Sequence, residues 1–161
     1  MLSFRTMTHQ DLPELATIEQ EAGPHPWNQK HYMNSIDSGD LCMVAEHQGR
    51  IVAQGVVMLV AGEASLLILT VSRSEQGKGY GAAMLNHLID AAAELADTLF
   101  LEVRESNKKA FNLYLKSGFS EIGRRENYYP ANKDHKAEDA IVMALDLSVR
   151  EWPDSHPANR R

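Results

Sequence analysis

A single cysteine, Cys42, is all the thiol the 161 residues contain, so no internal disulfide can form. The seven histidines show neither H-x-x-x-H spacing nor pairing with cysteine, and no structural metal is expected. Such sparing use of cysteine suits a reducing, cytoplasmic compartment. Long apolar runs are also missing. The longest, Val56-Val57-Met58-Leu59-Val60-Ala61, falls far short of the roughly 18 residues a membrane span needs. Met1-Leu2-Ser3-Phe4-Arg5 has no extended apolar stretch, so neither a secretory signal nor a membrane partner is expected. Positive charge is in deficit: the formal net charge of −6 argues against direct nucleic-acid binding and favours a basic partner. What is present is ordinary for a globular protein, with 43% hydrophobic and 24% charged residues, and the length corresponds to one domain.

Periodicity divides the chain. Leu2, Phe4 and Thr6 alternate as a first strand. Asp11 is placed to cap a helix, with Pro13 in its first turn, Glu14 at the capping-box position, and Leu12, Leu15, Ile18 and Ala22 as its apolar stripe. Gly23-Pro24-His25-Pro26 ends that helix, and Asn28 caps a shorter one carrying Tyr32, Met33 and Ile36. Residues 41–46, 51–61 and 63–71 read as an antiparallel meander turning at Gln48-Gly49 and Gly62; Gly55 inside it marks a bulge or a close backbone approach. A helix over 79–96, a strand over 98–104, a helix capped by Ser106 or Asn107 and ending at Gly118, and strands over 119–127 and 140–147 follow, with a polar loop over 130–139. The order is β-α-α-β-β-β-α-β-α-β-β, an α/β (α+β) arrangement with a mixed, mostly antiparallel sheet of about seven strands. Residues 149–161 read as a polar C-terminal tail.

Chemistry concentrates in Gln76-Gly77-Lys78-Gly79-Tyr80-Gly81-Ala82, between a strand and a helix. Glycines there bring backbone N–H groups close to a ligand, and the helix N-terminus adds partial positive charge, a combination suited to a pyrophosphate. The plainer alternative is a flexible helix entry. Gly77-x-Gly79-x-x-Ala82, with Glu102 further on, also fits a dinucleotide fingerprint. Five residues separate Val71 from the first glycine, however, and antiparallel strands precede it, so that fit is weak.

Gln76, Gly79 and Gly81 match Q/R-x-x-G-x-G/A, and by this motif the chain resembles the GNAT N-acetyltransferases, where the loop binds the coenzyme A pyrophosphate. Over about residues 1–147 it resembles more closely the RimI type of ribosomal-protein alanine N-acetyltransferase. Ile18-Glu19-Gln20, Pro26-Trp27, Glu63-Ala64, Leu101-Glu102-Val103-Arg104, Ser106-Asn107, Asn127-Tyr128-Tyr129-Pro130 and Glu138-Asp139-Ala140-Ile141 carry that likeness. Two positions depart from it. Ser72-Arg73 replaces a common Asp-Pro pair, and Glu126 stands where a basic residue is usual.

The resemblance implies a GNAT domain over 1–148 that transfers acetyl directly from acetyl-CoA to the N-terminal alanine of a basic small-subunit ribosomal protein. The alternatives are another protein N-terminus, a lysine or a small amine as acceptor, or a non-catalytic acyl-CoA-binding module. Glu102 is implied as proton acceptor, against the alternative of a strand glutamate facing water. Tyr114 is implied as proton donor, against that of a core aromatic. Leu69, Thr70 and Val71 would offer backbone groups to the pantetheine arm, and Gln76 to Ala82 would hold the phosphates. Asn107 would bond the same arm, cap its helix, or do both. Lys78 and Arg73 add charge near the phosphates or are solvated. Trp27, Tyr128 and Tyr129 are candidates for the acceptor groove; Trp27 alternatively packs the break between the first two helices.

Overall fold

The computed structural model describes residues 1–148; the tail expected over 149–161 lies outside the described residues. Eleven main elements follow the expected order: β1 (Ser3–Thr6), α1 (Leu12–Ala22), α2 (Gln29–Asp37), β2 (Leu41–His47), β3 (Arg50–Val60), β4 (Glu63–Val71), α3 (Tyr80–Ala93), β5 (Thr98–Arg104), α4 (Lys108–Lys116), β6 (Ser120–Tyr129) and β7 (Glu138–Asp146). The strands form one sheet in the order β1-β2-β3-β4-β5-β7-β6, antiparallel throughout except where β4 meets β5.

Two-residue turns with positive φ, Gln48-Gly49 and Ala61-Gly62, close the meander. Their left-handed geometry matches the twist of the strands they join. Strand alternation then sends side chains to two cores. Ala45, Val52, Val57, Leu99, Leu101 and Val103 pack with α3 and with Tyr114 of α4. Val44, Val56 and Ile68 pack with Leu12, Leu15 and Ile18 of α1 and Tyr32 of α2. Gly55 is a close approach: a Cβ there would lie 2.4 Å from Leu88 Cδ1, so α3 rests directly on the β3 backbone.

Several local expectations change. Asp11 does not cap α1 with its side chain; a 3-10 turn over His9–Asp11 precedes the helix. The carboxylate instead accepts from the Thr8 N–H and, at 2.8 Å on each oxygen, from the Arg5 guanidinium. The helix expected over 79–96 is shorter at both ends, because Gly79 adopts φ +83 and stands outside it as N-cap, while the chain tightens after Ala93. The last two strands run two residues further toward each other than expected, β6 to Tyr129 and β7 from Glu138 within the expected polar loop, and Tyr129 pairs with Glu138. Asn28 and Asn107 cap α2 and α4 as expected, accepting from the N–H groups of His31 and Ala110.

Candidate active site

The site begins where the sheet opens. β4 and β5 are parallel partners only from Glu63 to Leu66 against Thr98 to Leu101. On its other side β4 pairs Ile68 with Val56 but Leu66 with Val57, so Leu67 is an extra residue that bends the strand. Past it, 68–71 stay bonded to β3 and 102–104 stay bonded to β7, but the two facing edges are not bonded to each other. The result is a wedge with main-chain groups along both walls.

At the mouth of this wedge lies the glycine loop. The Gln76 side-chain amide donates to the Val71 carbonyl at 3.2 Å, tying the loop to the end of β4. Gly77 and Gly79 have φ of +81 and +83, and a Cβ on either would meet open space. They are glycines for their backbone conformation, which L side chains rarely adopt. Tyr80, Gly81 and Ala82 then begin α3, whose first N–H groups have no partner within the helix. Lys78 forms an ion pair with Glu75 at 2.8 Å, and Arg50 reaches the same carboxylate at 3.3 Å. Arg73 helps line a cavity of about 600 Å³ with Gln20, Gly23, Pro24, Gln76 and His135, between the end of α1 and the loop.

Glu102 lies on the wedge wall formed by β5. Leu101 and Val103 enter the α3/α4 core, so alternation turns Glu102 to the opposite face. Arg104, on that same face, comes near Gly23 at the end of α1. Glu102 does not stand alone on that wall. Glu102 is 26% exposed and accepts from Arg125 Nε at 2.9 Å. Tyr128 also hydrogen-bonds to it, and the Arg125 guanidinium lies 5.7 Å from the centre of the Tyr128 ring.

Both tyrosines owe their position to Asn127. It takes φ +48, its N–H donates to Asp139 Oδ1 at 2.9 Å, and the ladder skips from Arg125 to Tyr129. This bulge lifts Tyr128 and Tyr129 toward β5. Tyr129 interacts electrostatically with Glu102, and its hydroxyl is pushed up to about 12, burial being the larger cause.

Tyr114 lies on the other face of the sheet, in the core that holds Leu101 and Val103. It is 8% exposed, packs edge-on to Phe119 at 5.7 Å, and burial holds its phenol well above the ordinary tyrosine value, with Tyr129 adding to the shift. Tyr129 thus lies near enough to both Glu102 and Tyr114 to be coupled to them electrostatically. Trp27 makes its ring contacts with His31 and Tyr32, at 5.6 and 5.3 Å, so it packs the break between α1 and α2. The residue of that turn which reaches Tyr129 is His25, at 5.5 Å. Cys42 is buried in the α1/α2 core with its thiol pushed up to about 11, chiefly by burial, which disfavours an acyl-carrying thiolate.

The acetyltransferase (GNAT) family matches residues 10–119, and the parted strands, the left-handed glycines and α3 fall within that span. The chain belongs to the GNAT family. It is 37% identical over 150 residues to the [ribosomal protein bS18]-alanine N-acetyltransferase of Escherichia coli strain K12, covering 92% of this chain and 100% of that protein. The crystal structure of the ribosomal-protein-S18-alanine N-acetyltransferase from Escherichia coli superposes with a TM-score of 0.84 at 35% identity, covering 97% and 99% of the two chains. A Salmonella typhimurium structure solved with its cofactor acetyl-CoA shares the fold, with a TM-score of 0.78 at 17% identity and coverage of 97% and 99%. The RimI-type likeness therefore runs along nearly the whole of this GNAT chain, and its fold and acetyltransferase class are those expected from the motifs.

Two residues at the site were assigned no role from the sequence. Arg125 sits on a strand exposed along almost its whole length, and nothing in its spacing points to β5. Glu19 did leave a signal, because it lies on the apolar stripe of α1 between Ile18 and Ala22. There it accepts from Thr70 Oγ1 at 2.7 Å, and burial pushes its carboxyl above the ordinary glutamate value.

Proposed function

We propose that this GNAT chain transfers acetyl from acetyl-CoA to the α-amine of an N-terminal alanine on a basic small-subunit ribosomal protein in the cytosol. The observation that carries the reading is the parting of β4 and β5 beside the left-handed glycine loop. The unbonded edges suit an extended, amide-bearing pantetheine arm running along 69–71, with the Asn107 side chain near its sulfur end. The loop and the first turn of α3 suit the pyrophosphate.

Acetyl-CoA supplies an activated thioester; the chain supplies position and two proton sites. An α-amine has a pKa of about 7.7–8.0 and is mostly protonated at neutral pH. Glu102 accepts the proton the amine must lose, directly or through one water, and the amine then attacks the thioester carbonyl. Tyr114 holds its proton throughout the physiological range and gives it, or a hydrogen bond, to the departing thiolate. In the same poorly solvated surroundings the thiolate's own proton affinity also rises, which keeps the exchange feasible. Tyr128, Tyr129 and His25 border the face from which the acceptor approaches. The net charge of −6 speeds encounter with a basic acceptor.

Thiol release from acetyl-CoA, with an Ala-initiated basic peptide compared with lysine and small amines, tests the reading. Turnover with the peptide is the expected result. Turnover only with the other amines moves the acceptor, and acetyl-CoA binding with no turnover removes the enzyme.

A further inference from the structure

Glu19 is a partly buried carboxylate that the proposed chemistry does not use, and four groups hydrogen-bond to it as donors. Thr70 Oγ1 donates at 2.7 Å, and Gln54 Nε2 approaches to 3.5 Å. The Trp27 backbone N–H and the Tyr32 hydroxyl also hydrogen-bond to it. These donors belong to parts of the molecule that the backbone does not join locally. Thr70 lies in the half of β4 that has left β5. Trp27 ends the turn after α1, which carries His25 against Tyr129. Alternation explains how one side chain meets both, since Leu69 and Val71 turn to the α3/α4 core and Thr70 turns to α1.

The free half of β4 has a ladder on one edge only, so its twist is set by β3 and by whatever holds its side chains. We propose that Glu19 is a positioning residue: through Thr70 it fixes the strand that would bind the pantetheine arm, and through the Trp27 N–H it fixes the turn that borders the acceptor. One carboxylate thereby sets the spacing between the two substrates. A carboxylate is suited to this because it accepts several hydrogen bonds at once, and charge-assisted bonds are the stronger kind. The inference rests on the acetyl-transfer reading for the identity of the two substrates, but not on Glu102 or Tyr114 as the groups that move protons.

The test compares Glu19→Ala, Glu19→Gln and Thr70→Val by steady-state kinetics, acetyl-CoA calorimetry and thermal melting of the full chain. Glu19→Ala should raise KM for acetyl-CoA and for the Ala-initiated peptide together, by about ten-fold each, while kcat changes by less than about three-fold. Thr70→Val, which cuts the cofactor branch alone, should weaken acetyl-CoA binding by about three- to ten-fold and leave the peptide KM within about two-fold. If Glu19→Ala does not fold, Glu19→Gln keeps an acceptor oxygen and the shape, and should move both KM values in the same direction by less. A lowered melting temperature with both KM values unchanged makes Glu19 merely structural and overturns the proposal. A collapse of kcat with both KM values unchanged makes it catalytic and also overturns it. Should the wild type turn over no amine, the acetyl-transfer reading fails alone. Calorimetry then still decides the cofactor branch, with unchanged acetyl-CoA affinity in Glu19→Ala and Thr70→Val as the contradicting result.

Discussion

Residues 63–66 and 68–71 belong to one strand, β4, and the second segment is the more apolar and β-branched of the two, yet it is the first that is paired on both edges. The first half is bonded on both edges, to β3 and to β5, and its Ala64 and Leu66 are buried. The second half is bonded to β3 alone, and Leu69, Thr70 and Val71 are partly exposed. One extra residue, Leu67, separates the two. The first half stores stability. The second leaves main-chain hydrogen-bonding capacity beside two protonatable side chains, an arrangement that binding can use and folding cannot. Substitutions in the first half should therefore register as lost stability, and those around the second as lost binding or rate.

The largest effect tests the wall opposite the free half. Glu102→Gln should lower kcat/KM at pH 7 by about 10²–10⁴-fold, with a smaller loss above pH of about 8, where the amine deprotonates unaided. A pH–rate profile that matches the parent's would remove Glu102 as the base. In the paired half, Leu66→Ala should cost about 2–4 kcal/mol in denaturant melts while the folded protein binds acetyl-CoA as before. Weaker binding without lost stability would erase the distinction between the halves. Tyr114→Phe should cut kcat by about 10–100-fold and leave acetyl-CoA affinity nearly unchanged, as measured by single turnover and calorimetry. Gly79→Ala places a side chain at φ +83 and should cost about 1–2 kcal/mol, read mainly as lost acetyl-CoA affinity.

The smallest effect lies outside both halves and serves as a control. The Asp11 carboxyl is drawn down to about 2, first by the Arg5 hydrogen bonds. A depressed carboxylate stabilises the fold above its ordinary pKa, and that contribution is lost as pH falls from about 4 through about 2. Asp11→Asn should therefore cost about 0.5–1 kcal/mol at pH 7 and nothing near pH 2, with activity unaffected.

How much of this was legible beforehand depended on whether the information is local. The strand and helix order followed from periodicity. The caps at Asn28 and Asn107 and the hairpin turns followed from residues that act within three or four positions. Gly55 was marked for a bulge or a close approach, and Leu88 is the reason. The glycine loop was legible because positive φ restricts residue choice. What resisted was contact at a distance. Asp11 looked like a cap because Arg5, across a turn, could not be seen competing for it. The partners of Glu102 could not be read because Arg125 and Tyr128 arrive from β6, over the intervening β7. Trp27 was open between groove and core, and Tyr32 decides where its ring packs. Glu19 was the most readable of the misses, since an acid on an apolar helix stripe requires a buried donor.

The most direct test of the account is a crystal structure of the full chain with acetyl-CoA. The account predicts pantetheine amides bonded to the main chain of residues 69–71, phosphates on the N–H groups of residues 77–82, and the thioester sulfur within hydrogen-bond reach of the Tyr114 hydroxyl. A pantetheine arm lying outside the opening between β4 and β5, or a sulfur remote from both Glu102 and Tyr114, would contradict it.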